Sequence, residues 1–274
     1  MSNTAASSEP LPDFLNPPLN EVVLGVQFNP PMGYQQIRAG EVWRVFQGKF
    51  PEVQEHPPLP PSFETFGLPQ QIRPVGHLNF SAGAIHDRFW FLREDGEELI
   101  QFQQDRLLHN RRKVGDHTNE YPRFQSMAMR FHEELDELQA YFASLTPQAL
   151  VINQCEISYL NYISADQGEI IKPSDWLRFI SFAERNPEDF AVVFREVILD
   201  ESGKPCARLI CDGSLSAKAD GQRIVFLNLT VRGAPNGSDI QSAVEFIARG
   251  HELIVRKFAM VTTEEAHKKW GRLR

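Results

Sequence analysis

The densest collection of groups able to do chemistry lies in one short stretch, Arg106, His109, Asn110, Arg111, Arg112 and Lys113, followed by Tyr121-Pro122-Arg123-Phe124. Arginine forks match the oxygens of carboxylate and phosphate, and a helix N-terminus adds unpaired amides. A strand end that runs into a helix start therefore suits an anion or an acidic partner. On this basis Arg106, His109, Asn110, Arg111, Arg112, Tyr121 and Arg123 are the candidate binding residues. The plainer alternative is a solvated strand end whose Tyr and Phe staple the helix to the sheet, because exposed basic clusters in loops are common.

Other candidate chemistry reads as structural. His132-Glu133-Glu134-Leu135-Asp136 imitates the metalloprotease helix motif, with Asp where the second His belongs. Carboxylates are expected on the wet side of such a helix, so a charged face is predicted and no metal. Cys206 and Cys211 are five residues apart on one predicted strand, and an odd step turns them to opposite faces. They and Cys155 read as small core residues. The chain has no phosphate-binding glycine loop, nucleophile elbow or zinc-ribbon spacing, so no catalytic residue and no cofactor is assigned. The basic C-terminal segment suits helix C-termini, Thr262 and Glu265 form a capping box for a last short helix, and Trp270 is expected to dock on the body.

These groups need elements to hold them. The 274 residues, 42% hydrophobic with 20 Phe, can bury a sizeable core. Residues 1–18 are Ser-, Pro- and Ala-rich and read as a flexible leader. From Glu21 the alternation of Val22, Leu24, Val26 and Phe28 predicts a strand, and Tyr34 to Phe50 predicts a helix. The run His56-Pro57-Pro58-Leu59-Pro60-Pro61 reads as a stiff polyproline connector, with an SH3-type ligand as the alternative. Strands are predicted over Ile72 to Phe80, Arg88 to Arg93 and Leu99 to Asn110, the last two joined by an Asp95-Gly96 turn, and then a long amphipathic helix from Pro122.

The second half repeats the order. It has a strand over Val151 to Ile163, a helix capped by Ser174 and carrying Trp176, Leu177, Ile180 and Phe182, strands over Phe190 to Leu199, Ala207 to Leu215 and Arg223 to Val231, and a helix from Asp239 to Met260. The expected fold class is α+β: two similarly ordered β-α-β-β-β-α halves, 19–147 and 148–274, forming a curved antiparallel sheet with its helices on one face. The repeated order suggests an internal duplication.

Asn16-Pro17-Pro18-Leu19-Asn20-Glu21-Val22-Val23, Tyr121-Pro122-Arg123-Phe124 and the closing Trp270-Gly271 resemble the motifs of a sporadically distributed family of uncharacterised prokaryotic proteins of about this length. The resemblance implies an accessory genomic setting such as toxin–antitoxin or phage-defence loci. It carries over no activity, cofactor or catalytic residue.

The functional expectation is a non-catalytic binding or regulatory protein, cytoplasmic and off the membrane, that recognises a protein or anionic partner through the basic segment and the concave sheet face. Three cysteines without a signal peptide fit reduced thiols in the cytosol. A net charge of −8 repels phosphate and disfavours nucleic acid. The alternatives are an enzyme or effector acting on nucleic acid, with His109, Arg111, Arg112 and Arg123 around phosphate and Tyr121 or His109 as the acid–base group, and an aromatic-lined small-ligand pocket under the sheet. Oligomeric state is not legible in the sequence.

Overall fold

In the computed structural model, which describes residues 9–67, 87–115, 123–166, 169–181, 187–218 and 221–274, the alternating run Val22-Leu24-Val26-Phe28 lies in strand β1 (Leu19–Phe28). The chain continues through α1 (Ala39–Phe46), β2 (Glu52–His56), β3 (Arg88–Leu92), β4 (Glu98–Gln103), β5 (Arg106–Arg112), α2 (Phe124–Ala143), β6 (Ile152–Ile163), β7 (Ala191–Leu199), β8 (Pro205–Ala217), β9 (Arg223–Gly233), α3 (Ile240–Val261) and α4 (Glu264–Lys269). The described strands form one antiparallel sheet ordered β2-β3-β4-β5-β1-β6-β9-β8-β7, with the helices packed on one face. From the central β1–β6 pair the order runs outward through β5, β4 and β3 on one side and β9, β8 and β7 on the other. The fold is thus the expected α+β class, and β2 is an additional edge strand.

Register shows which side chains share a face, because directly paired residues of antiparallel strands point the same way. Leu24 pairs with His109 and Ile157, and Val26 with Leu107 and Cys155; all are buried beneath the helices. The intervening residues face the opposite way. Gln27 pairs with Arg106 and Gln154, Gln103 with Arg106, and Arg208 with Arg232. The sheet therefore has an apolar face under α2 and α3 and a polar face turned away from them.

Several expectations need correction. The predicted strand from Leu99 to Asn110 is two strands, because Gln104-Asp105 turns the chain between β4 and β5. That turn has no Gly or Pro; Asp105 Oδ1 instead accepts from Gln103 Nε2 at 2.9 Å and from Arg106 Nε at 3.4 Å. The predicted strand over 72–80 lies outside the described residues. The helix predicted after Ser174 is only a 3-10 turn, Pro173–Asp175. Leu177 there bridges Thr262, Arg178 N–H donates to Val261 C=O and Thr263 N–H to Trp176 C=O, so pairing with the end of α3 replaces a local helix. Phe182 lies outside the described residues. The cap of α4 is Thr263, whose hydroxyl accepts from Ala266 N–H, while Thr262 Oγ1 donates to Phe258 C=O.

The expected leader is anchored at its inner end. Leu15 N–H donates to Gly271 C=O and Asn16 N–H to Trp270 C=O, and the Phe14 ring packs edge-on against Phe258 and Trp270. Trp270 itself is buried and stacks on Trp176, as its docking requires.

The long helices meet at an aromatic seam. Phe124 at the start of α2 stacks on the His251 ring of α3 with centroids 3.9 Å apart, and the Tyr159 hydroxyl from β6 is hydrogen-bonded to His251 Nδ1 at 2.7 Å. Burial drops the His251 pKa to about 4. A histidine depressed in the folded state stabilises the fold above about pH 6.5, where it is neutral in both states. That contribution is lost as pH falls from 6.5 towards 4. Urea denaturation across this range should show wild type losing about 2–3 kcal/mol more than His251→Gln, which keeps a hydrogen-bonding group for Tyr159 but does not titrate.

Candidate functional site

Strand alternation divides the basic segment between the two faces of β5. His109 and Arg111 point towards the helices, while Arg106, Asn110 and Arg112 point to the polar face. The segment is not the exposed cluster expected from sequence: Arg106, His109, Asn110 and Arg111 are all buried. Arg123 stands apart at the start of α2, exposed and 3.6 Å from Asp13, and Tyr121 lies outside the described residues.

On the helix side, His109 Nδ1 lies 2.9 and 3.0 Å from the two carboxylate oxygens of Glu134. A carboxylate only accepts, so the ring proton sits on Nδ1. Burial pulls the His109 pKa down, but the charge and hydrogen bond of Glu134, with Glu98 behind, outweigh it and leave the pKa above its usual value. Arg111 reaches Glu97 at 2.5 Å and Arg130 reaches Glu98 at 2.5 Å. A cavity of about 710 Å³ opens beside this cluster, between the end of α1, α2 and the β3–β4 hairpin. Its lining mixes Lys49, Arg93 and Arg130 with Glu94, Asp95, Glu98, Glu133 and Glu134. Its cations already pair, Lys49 with Glu137, Arg93 with Asp95 and Glu98, and Arg130 with Glu98, so the cavity offers no uncommitted basic cluster to an anion. It is also not the aromatic-lined pocket expected as one alternative.

The polar face is ordered differently. Arg88 donates to Gln101 at 2.8 Å, Gln101 to Asn110 at 2.9 Å and Asn110 to Glu21 at 2.7 Å, a chain of hydrogen bonds across β3, β4, β5 and β1. On the other half Ser158 and Thr230 hydroxyls lie 2.7 Å apart, and Arg232 bridges Glu156 at 3.0 Å. Burial, and to a lesser degree the neighbouring Arg106 charge, lowers the Arg88 pKa, while burial raises that of Glu21. Arg88 and Arg112 each sit 5.7 Å from the Trp90 ring, where the ring quadrupole attracts a cation.

Across this face runs the proline-rich segment 57–66, which meets β4, β5, β1 and β8 in turn. The Gln103 side-chain amide accepts from Leu59 N–H at 2.8 Å and donates to Leu59 C=O at 3.0 Å. Gln27 does the same for Ser62, accepting at 3.0 Å and donating at 2.7 Å. Arg106 donates to Pro60 C=O at 3.0 Å and to Gln27 at 2.8 Å. Beyond them, Glu64 is paired with Arg208 of β8 and Arg232 of β9, and Arg208 also donates to Thr65 C=O at 2.8 Å. The run expected to be a connector is therefore a strap spanning both halves of the sheet. Its anchors Gln27, Gln103 and Arg208 were not among the sequence candidates. The only available signal was their placement at outward positions of apolar strands, where polar residues are ordinary.

Among the described residues no group of three His, Cys, Asp or Glu side chains is arranged to hold a metal ion, and His132 and Asp136 form an exposed pair 3.7 Å apart. Burial raises the thiol pKa of Cys155 and pushes that of Cys211 up to about 12. Comparison of the chain with protein-family models, with curated proteins and with solved structures returned no match.

The placement of the arginines separates structural from surface roles. Arg111→Ala removes the guanidinium 2.5 Å from Glu97, while Glu98 keeps Arg130 and Arg93, and should cost about 1–2 kcal/mol in chemical denaturation. Arg123→Ala, at a side chain 78% exposed, should change stability by less than about 0.5 kcal/mol.

Proposed function

We propose that this chain is a non-catalytic binding or regulatory protein that recognises a protein partner on the polar face of its sheet. The observation that carries the reading is the hydrogen bonding of Gln27 and Gln103, each of which engages both the N–H and the C=O of one residue of an extended segment. Paired amide contacts of this kind read main chain, which every extended polypeptide offers, and the net charge of −8 disfavours a nucleic acid in its place. Reactive groups elsewhere are committed to other contacts: the His109 Nδ1 proton faces Glu134, and the buried thiols are held protonated.

The remaining expectations enter the same proposal. The equivalent positions of the two halves about β1 and β6 support an internal duplication, with the domain boundary near residue 147. Among the described residues no helix is long and apolar enough to cross a membrane, which is consistent with a cytoplasmic protein. An accessory toxin–antitoxin or phage-defence locus is the setting that the sequence resemblance implies. The contribution of Arg106, Asn110 and Arg112 to binding comes through the polar face, and that of Arg123 through its exposed position at α2.

The test is affinity capture at native level, with mass spectrometry of protein and nucleic acid together, from wild type and from Arg195→Glu/Val197→Asp. Both substituted residues are exposed on the same sheet face as Arg208. Wild type should recover one protein partner in near-stoichiometric yield, insensitive to nuclease, and the variant should lose it while melting as wild type does. Recovery of nucleic acid instead, or a partner the variant retains, contradicts the proposal.

A further inference from the structure

The strap occupies the polar face without belonging to the fold's interior. None of residues 57–66 is part of the buried hydrophobic core, Phe63 is 55% exposed, and Leu59, Ser62, Glu64 and Phe66 are the residues turned inward, Phe66 with the Arg208 guanidinium 5.1 Å from its ring. It is held by hydrogen bonds, ion pairs and the Arg208 contact with Phe66, and water satisfies the same polar groups after release. A segment held in this way opens far more readily than the sheet beneath it.

Its route is also unnecessary for connectivity. β2 and β3 are adjacent antiparallel strands, which a short hairpin turn joins in most proteins. Instead the chain leaves the β2 edge, crosses β4, β5 and β1, and places Glu64 between Arg208 and Arg232 on the far half. The Glu64 side chain is 2% exposed, and burying a carboxylate is unfavourable unless the site is built for it. The receptor side is built: Gln27, Gln103, Arg106 and Arg208 are each more than nine-tenths buried. The fit is also incomplete. Gln154, which pairs with Gln27 in the β1–β6 register and is 4% exposed, has its Nε2 donor without a hydrogen-bond partner among the described residues. An extended ligand offering one more acceptor at that point would be better matched than the strap.

We propose that the groove across the polar face is a binding site for an extended peptide segment of a partner protein. Gln103 and Gln27 read its main chain, Arg208 and Arg232 anchor an Asp or Glu carboxylate, and strap 57–66 is the internal occupant the partner displaces. The inference rests on the reading of the polar face as the recognition surface and adds the partner's chemistry and its regulation: the free protein is closed, and a partner must outcompete the strap. Competition with a tethered segment raises the apparent dissociation constant in inverse proportion to the fraction of time the groove is empty.

Two variants loosen the strap while leaving the groove intact. Ser62→Pro removes the N–H that donates to Gln27, and Glu64→Ala removes the carboxylate held by the two arginines. The probe is a fluorescein-labelled peptide with the sequence of residues 57–66, its affinity read by anisotropy on the full chain. Both variants should bind it at least tenfold more tightly than wild type does. A peptide with Gln in place of its glutamate should bind the variants at least tenfold more weakly than the parent peptide, and adding Gln103→Ala to Ser62→Pro should weaken binding again. The proposal is overturned if neither variant binds the probe while both keep a wild-type near-ultraviolet circular dichroism spectrum, or if both variants fail to fold, since the strap would then be an integral part of the structure. If the probe fails but a captured partner still depends on Arg195 and Val197, only the strap mechanism falls. If both fail, the reading of the polar face falls with it.

Discussion

The antiparallel pairing of β1 with β6 is the constraint on which the rest of the structure depends. It joins the two halves into one sheet and fixes the register of every strand outward from it. Because side chains alternate with a period of two, a slip of one residue in this pair would turn Val22, Leu24 and Val26 away from the helices and drive Gln27 into the core. Apolar alternation in β1 and β6 excludes that slip. The arrangement of the polar face is thus a consequence of how the core is specified: once Leu24 and Ile157 must lie under α2 and α3, Gln27, Gln154 and Glu156 have no choice but the other side.

The price of such a two-sided sheet is a set of polar groups that water only partly reaches. Buried amides and guanidinium groups without partners each cost on the order of 1–3 kcal/mol, so they are satisfied by one another and by main chain. The bond series from Arg88 to Glu21 answers this on the first half, and Glu64 with its two arginines answers it on the second. The strap supplies further partners for Gln27, Gln103 and Arg106, beyond the bonds that Arg106 makes to Gln27 and that Gln103 and Arg106 make to Asp105. A face that needs main chain to complete its hydrogen bonding is also a face that accepts main chain from elsewhere, which links the energetics of the fold to the proposed function.

Much of the fold was legible from periodicity alone. Strands β1, β3, β6, β7, β8 and β9 and helices α2 and α3 carry clear period-two or helical patterns, and Asp95-Gly96 marks its turn through the positive φ of Gly96, 68°. Where the pattern failed, tertiary contacts decided. Trp176 and Leu177 have helical spacing but dock on the end of α3, and β2 is too polar and exposed to show any stripe. The basic segment misled for a related reason: a run of charges looks like surface, yet on a strand every second residue must face the core side. There His109 and Arg111 meet Glu134, Glu97 and Glu98, which are far enough away in sequence that no local pattern connects them. The strap was legible as polyproline but its destination was not, because the glutamines and arginines that hold it come from five different strands.

The central claim is that the strap is a ligand of the sheet and not a part of it, and native-state hydrogen exchange measures this directly. The Leu59 and Ser62 amides, which donate to Gln103 and Gln27, should be protected relative to an unstructured peptide. They should nevertheless exchange at least about a hundredfold faster than the amides of Val23 to Val26 in β1, through a separate opening that leaves the sheet intact. Exchange of Leu59 and Ser62 in step with β1 and β6, or no protection at either amide, would contradict the account.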